Sequence, residues 1–195
     1  MQVEKGNRQL FDLPLRVPRS MLKHLPPLIG HPIRVRVQPD LTSLGGKLVS
    51  GVGKGTAVHA GSFMRKRVIV LEEALLRFPR RLNRIFIHEV FHFAWLRLSN
   101  YQRRQYEQLL EAEIRLRAKG ELGWSAESLK ETLTTADLRR RTVKWRAYAC
   151  ESFCDTAGWM FGNSGPYAEM TLHKRFRDRR RIWLLEICRN SAVSI

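Results

Sequence analysis

The sequence predicts an α+β fold, a small three-stranded sheet packed on a mostly helical body. Three observations carry this. Residues 33–37 alternate apolar and basic, 66–71 are rich in Val and Ile, and 57–63 are a further strand candidate close enough to pair with 66–71. Everything after Leu82 reads as helices parted by Gly, Ser and Pro signals. The 195 residues, 44% hydrophobic, suffice for one domain with a real core. Residues 1–195 are therefore expected to form a single domain, with 1–30 as an N-terminal extension and 167–195 as a basic C-terminal helix.

The first thirty residues are broken by Pro14, Pro18, Pro26 and Pro27, with room for a short helix over Ser20–Leu25. IRVRV at 33–37 alternates apolar and basic residues, the period of a half-buried strand. LGGKLVSGVGKGT follows. It is not a phosphate-binding P-loop, because Leu48 stands where the first Gly belongs and Gly55 follows Lys54. A hairpin or loop is expected there. AVHAGSF at 57–63 and KRVIVL at 66–71 are close enough to pair as a hairpin, and EEALLRF is a short helix ended by Pro79.

Five helices are expected next. Leu82–Leu98 contains neither Gly nor Pro. Tyr101–Lys119 is capped by Ser99 or Asn100 and ended by Gly120. A third helix has Ser125 as its N-cap, a fourth covers 136–161 before the loop GNSGP, and the last covers Tyr167–Arg189.

The charge is the second strong feature. Lys+Arg 35 against Asp+Glu 18 gives +17, concentrated in RKR at 65–67, RRR at 139–141 and KRFRDRRR at 174–181. Such a field attracts polyanions, so weak salt-sensitive association with nucleic acid is expected. No helix-turn-helix, zinc-finger or RNA-platform signature sharpens it. No segment is long and apolar enough for a membrane span, and the N-terminus lacks a signal-peptide apolar region. Three cysteines, Cys150, Cys154 and Cys188, fit reduced thiols, so a cytoplasmic location is expected. Cys150 and Cys154 read as small packing residues.

The chemistry lies in RIFIHEVFHFAWL, residues 84–96. His88, Glu89 and His92 interrupt a helix that is apolar on every face. Burying a carboxylate without a partner is unfavourable, and three ionisable groups together call for a shared one. His88 and His92, at i and i+4, can bind one Zn²⁺; Glu89, rotated by roughly 100°, can take a proton from a metal-activated water.

Catalytic zinc has three protein ligands, so a third is sought elsewhere. No His follows within a dozen residues, which excludes the extended metzincin pattern. WRAYACESFCDTAGWMFG at 145–162 repeats the first situation: Glu151 and Asp155 lie one turn apart in an apolar helix. One acid can bind the metal while the other bonds the free ring N–H of a ligand His. Glu111 and Glu113 are the rivals, but EAEIRLRAKG is polar and reads as solvated ion pairs, so Glu151 is favoured.

With HEVFH at 88–92 and ESFCDTAG at 151–158, the chain resembles the gluzincin-type zinc metallopeptidases, with local similarity to the Ste24/HtpX-like peptidases but without their transmembrane helices. The resemblance covers about residues 55–162. It implies a zincin-like fold with the HExxH helix central and one Zn²⁺ per chain held by His88, His92 and Glu151. It further implies Glu89 as general base, Asp155 as support to a ligand His, and a peptide or protein substrate. KRVIVL resembles the edge strand along which such enzymes lay an extended substrate. An oxyanion-stabilising Tyr or His is expected, with Tyr148, Tyr167 and His173 as candidates. The alternative is a basic nucleic-acid-associated protein whose zinc site is structural or vestigial.

Overall fold

The computed structural model describes residues 2–44, 47–50, 55–190 and 192–195. Helix α1 (Gln2–Gln9) leads into strand β1 (Phe11–Asp12), a 3₁₀ turn at Arg19–Leu22 and β2 (Leu28–Ile29). Next come β3 (Ile33–Gln38), β4 (Leu41–Leu44), β5 (Lys47–Ser50), β6 (Thr56–Ala57), β7 (Ala60–Phe63) and β8 (Val68–Glu72). The helical body is α2 (Pro79–Arg97), α3 (Asn100–Arg115), α4 (Trp124–Glu131), α5 (Thr135–Arg140), α6 (Val143–Phe161) and α7 (Lys174–Asn190), and β9 (Val193–Ser194) follows. An α+β arrangement, a small mixed sheet against helices, is what the sequence predicts.

The sheet is larger than expected. Its order is β1-β3-β8-β7, parallel except for β7, which turns back antiparallel on β8 with Ala60 opposite Leu71. The 57–63 and 66–71 hairpin is there, but β1 is only two residues long and carries no periodic signal. A three-stranded antiparallel sheet (β5-β4-β6) and a parallel β2–β9 pair stand apart from it. Residues 45–46 and 51–54 of the Gly-rich stretch lie outside the described residues; between them β5 pairs antiparallel with β4. The alternation in β3 works as read: Ile33 and Val35 are buried, Arg34 and Arg36 exposed. In β8, Ile69, Val70 and Leu71 are all buried.

KRVIVL is not an edge strand. Arg67 adopts a left-handed conformation that closes the hairpin, β8 ends up between β3 and β7, and β7 becomes the edge beside α2.

Helix α2 begins three residues before Leu82 because Pro79 occupies its first turn, where a missing N–H is no loss. Its Leu82, Phe86, Ile87, Val90, Phe91, Phe93 and Ala94 are fully buried, so the all-round apolar pattern reflects a central helix. Ser99 caps α3 in a reciprocal capping box with Gln102. Four further boundaries differ from expectation. Helix α3 stops at Arg115, four residues before Lys119, and Arg117 is left-handed. Gly123, not Ser125, is the N-cap of α4. The 136–161 helix is two helices: Arg141 is left-handed and Thr142 caps α6, its hydroxyl accepting from Trp145 N–H. Helix α7 starts at Lys174, because Thr171 and Leu172 donate their N–H groups to the Glu121 carbonyl instead. Among the described residues, no helix is long and apolar enough to cross a membrane.

The contact of α2 with α6 dominates the tertiary structure. Gly158 makes it possible: a Cβ there would lie 2.9 Å from the Arg84 carbonyl oxygen and 3.6 Å from the His88 Cβ. The close approach sets Glu151 and Asp155 against the histidines of α2.

Candidate metal centre

His88 and His92 lie on the α2 face that meets α6, and their Nε2 atoms are 3.1 Å apart. From α6, Glu151 places Oε2 3.3 Å from His88 Nε2 and Oε1 3.8 Å from His92 Nε2. Zinc bonds of about 2.0–2.1 Å in tetrahedral geometry put neighbouring donor atoms about 3.3 Å apart. His88 Nε2 has that spacing to His92 Nε2 and to Glu151 Oε2, and one donor atom from each of the three residues lies within 4.8 Å of the others, so the residues present fit a metal ion.

Each histidine is oriented by its other ring nitrogen. His88 Nδ1 lies 2.8 Å from Asp155 Oδ1, and His92 Nδ1 lies 3.4 Å from Cys150 Sγ. Asp155 is buried, with its Oδ2 lacking a hydrogen-bond partner among the described residues. Gly123 covers it; a Cβ at Gly123 would sit 2.3 Å from Oδ1. Glu89 is also buried but points elsewhere: the Ser62 hydroxyl lies 2.5 Å from its Oε2 and 3.1 Å from its backbone oxygen.

The electrostatics favour a cation. Burial pulls the His88 pKa down, but the Asp155 carboxylate and then Glu151 outweigh it and hold His88 well above 6.5. For His92, burial is again opposed, by the Cys150 hydrogen bond and the Glu151 and Glu89 charges, and the pKa is raised. Burial pushes Glu151 up, yet the two histidines bring it below its ordinary value. Two imidazoles ringed by carboxylates attract positive charge, and a metal ion competes with protons for the same lone pairs. His92, Cys150 and Cys154 form a second, overlapping donor set.

The cluster opens into a cleft of about 380 Å³ between β6–β7 and α2, with His88, Glu89 and Asp155 on its floor. A larger cavity of about 560 Å³ lies between α3 and the α4–α5 segment. Arg104, Arg115, Lys130 and Arg139 rim it, and none of its lining residues belongs to the cluster.

His88, Glu89, His92, Glu151 and Asp155 thus come together. The three oxyanion candidates do not join them. The Tyr148 hydroxyl is buried and donates to Glu121 Oε1 at 2.6 Å. Tyr167 donates to the Leu122 carbonyl, 2.8 Å. His173, exposed, accepts from Arg175 N–H at the start of α7. None of the three lines the cleft.

Of the rival ligands, Glu111 pairs with Arg104 at 2.7 Å. Glu113 is not a solvated residue. It is buried against Arg180, which also bonds Glu121, and both contacts are 2.6 Å. Arg180 reads as one more cation in a basic run, and only the α7 packing of Phe176 and Leu184 turns it inward. Cys150 and Ser62 are site residues that the sequence did not mark. Neither thiol-to-imidazole nor strand-to-helix contact leaves a local spacing signature.

No protein-family model, curated protein or solved structure matches the chain.

Proposed function

We propose that the protein is a zinc-dependent peptidase: His88, His92 and Glu151 hold one zinc ion, and Glu89 is the general base. One observation carries this reading. One donor atom each from His88, His92 and Glu151 lies within 4.8 Å of the others, His88 brings that cluster to the lining of a cleft, and a fourth ionisable group, Glu89, lines the same cleft without belonging to the donor set.

Zinc bound there would acidify a water molecule toward pKa ~7 and polarise a carbonyl. The chain's own residues do the rest. Asp155 accepts the His88 Nδ1–H, and Cys150 meets His92 Nδ1, so both Nε2 atoms are left free to hold a metal. Ser62 anchors Glu89 by Oε2 and leaves Oε1 to take a proton and return it to the leaving amine. The β7 edge offers main-chain groups to an extended peptide, which would add to the sheet as a strand.

The test is Glu89→Gln, assayed on a quenched peptide library and for bound metal. The variant should keep its metal and lose hydrolysis by roughly 10²–10⁴-fold. Full turnover would refute the base assignment.

A further inference from the structure

We infer that the cleft carries a subsite for an acidic side chain, formed by Arg81 with His59, two to three residues from the bond that is cut. The register rests on the peptidase reading above; the charge preference does not.

The ionisable groups of the cleft otherwise pair off. His88 faces Asp155, Glu89 holds Ser62, and Arg84 forms an ion pair with Glu169 while lying 4.2 Å over the Tyr167 ring. Arg81 is the exception. Its Nη2 lies 2.6 Å from His59 Nε2, and among the described residues no carboxylate comes within ion-pair distance of it. An arginine has only N–H donors, so the imidazole nitrogen accepts and the ring is neutral. Burial and then the Arg81 charge lower the His59 pKa, in keeping with that. The guanidinium charge therefore stays uncompensated at the cleft rim.

Helix stability does not explain Arg81. It sits in the first turn of α2, where a cation opposes the macrodipole. Its position does suit substrate. Arg81, Ile85 and His88 follow one another at i, i+4 and i+7 on the face that lines the cleft. Seven residues of helix span about 10 Å. An extended peptide advances ~3.3 Å per residue, so Arg81 meets a side chain two to three positions from the reacting carbonyl. A guanidinium fork matches the carboxylate of Asp or Glu.

In a protein of charge +17, acidic peptides also bind without specificity, so the test needs a matched control. Arg80 is exposed, adjacent and outside the cleft lining. Wild type, Arg81→Ala, Arg81→Glu and Arg80→Ala are compared on a peptide library with Asp or Glu scanned through every position. Wild type should favour the acid about fivefold at one position, two or three residues to one side of the cut. Arg81→Ala should abolish the preference, Arg81→Glu should turn it toward Lys and Arg, and Arg80→Ala should preserve it. Cleavage without an acidic preference, or with one that survives Arg81→Ala, overturns the subsite and leaves the peptidase reading standing. If nothing is cleaved, fluorescence anisotropy of the same labelled peptides at about 0.15 M salt decides. Tighter binding of acid-bearing peptides, lost in Arg81→Ala alone, supports the subsite and rejects the peptidase. No such preference, or equal loss in Arg80→Ala, rejects the subsite.

Discussion

Asp155 Oδ1 stands 2.8 Å from His88 Nδ1, reaching across from α6 to α2. That contact selects the ring tautomer whose Nε2 faces Glu151 and His92. Outer partners of this kind are worth about 10–100-fold in metal affinity. Asp155→Ala should therefore lose zinc affinity by that factor while remaining folded, as read by competition with a chromophoric chelator and by circular dichroism. Unchanged affinity would show that Asp155 does not support the centre.

Protons and metal should oppose each other at this site. In the metal-free protein the His88 pKa is held well above 6.5. A pKa raised on folding contributes stability that is complete below the unfolded value and is lost as pH rises through the folded value. Metal binding needs the neutral ring, so affinity rises over that same window. The melting temperature of the metal-free protein should thus fall with rising pH above 6.5, and the gain on adding zinc should grow. Thermal melts with and without zinc across pH 6–9 check this; a zinc gain that shrinks with pH would contradict it.

Gly158 should not tolerate even a methyl group. Alanine ordinarily gains about 1 kcal/mol over glycine inside a helix. Here its Cβ would meet the Arg84 carbonyl oxygen at 2.9 Å, with the backbone of two packed helices behind it. Gly158→Ala should instead lose about 1–3 kcal/mol, as overpacked cores do, and weaken zinc binding by drawing Glu151 away from the histidines. Denaturant unfolding and metal titration measure the two effects separately.

The Arg180 network is a stability element distinct from the metal centre. Arg180, Glu113 and Glu121 are fully buried, with Lys130 3.0 Å from Glu121. Arg180→Met should cost about 3–5 kcal/mol by leaving the buried Glu113 carboxylate without its cation and Glu121 with Lys130 alone, and adding Glu113→Gln should recover part of it. Burial pushes Glu121 up, but Arg180 outweighs it and holds the carboxyl down at about 2 against an ordinary 4.5. A depressed pKa contributes stability above the unfolded value and loses it as pH falls through the folded one. About 3 kcal/mol should therefore vanish between pH 4.5 and 2. Glu113, which burial raises more than Arg180 lowers it, acts in the opposite sense above that window, adding stability as pH falls through its folded value to 4.5. Melting curves of wild type and variant over this range test the sign.

What was legible in the sequence is what local spacing encodes. The i, i+4 histidines, the matching Glu151–Asp155 pair and the apolar surroundings of both helices are periodicities within single elements, and the structure brings those residues together. Long-range pairing leaves no such trace. The two-residue strand β1, the placement of β8 inside the sheet and the choice of β7 as edge depend on which strands meet across the fold. The inward turn of Arg180 and the contact of Cys150 with His92 leave no trace for the same reason. A buried arginine and a thiol beside an imidazole are recognisable only once α7 and α6 have docked. The broken 136–161 helix is different: Thr142 is a good N-cap residue in the sequence, outweighed there by the continuous helical pattern around it.

The most direct measurement is metal content by elemental mass spectrometry on the purified wild type, Glu151→Ala and Glu111→Ala. The proposed centre predicts about one zinc per chain in the wild type and in Glu111→Ala, since Glu111 pairs with Arg104, and a strong loss in Glu151→Ala. A wild type that takes up no zinc even after reconstitution, or a Glu151→Ala that keeps it, would contradict the proposed centre.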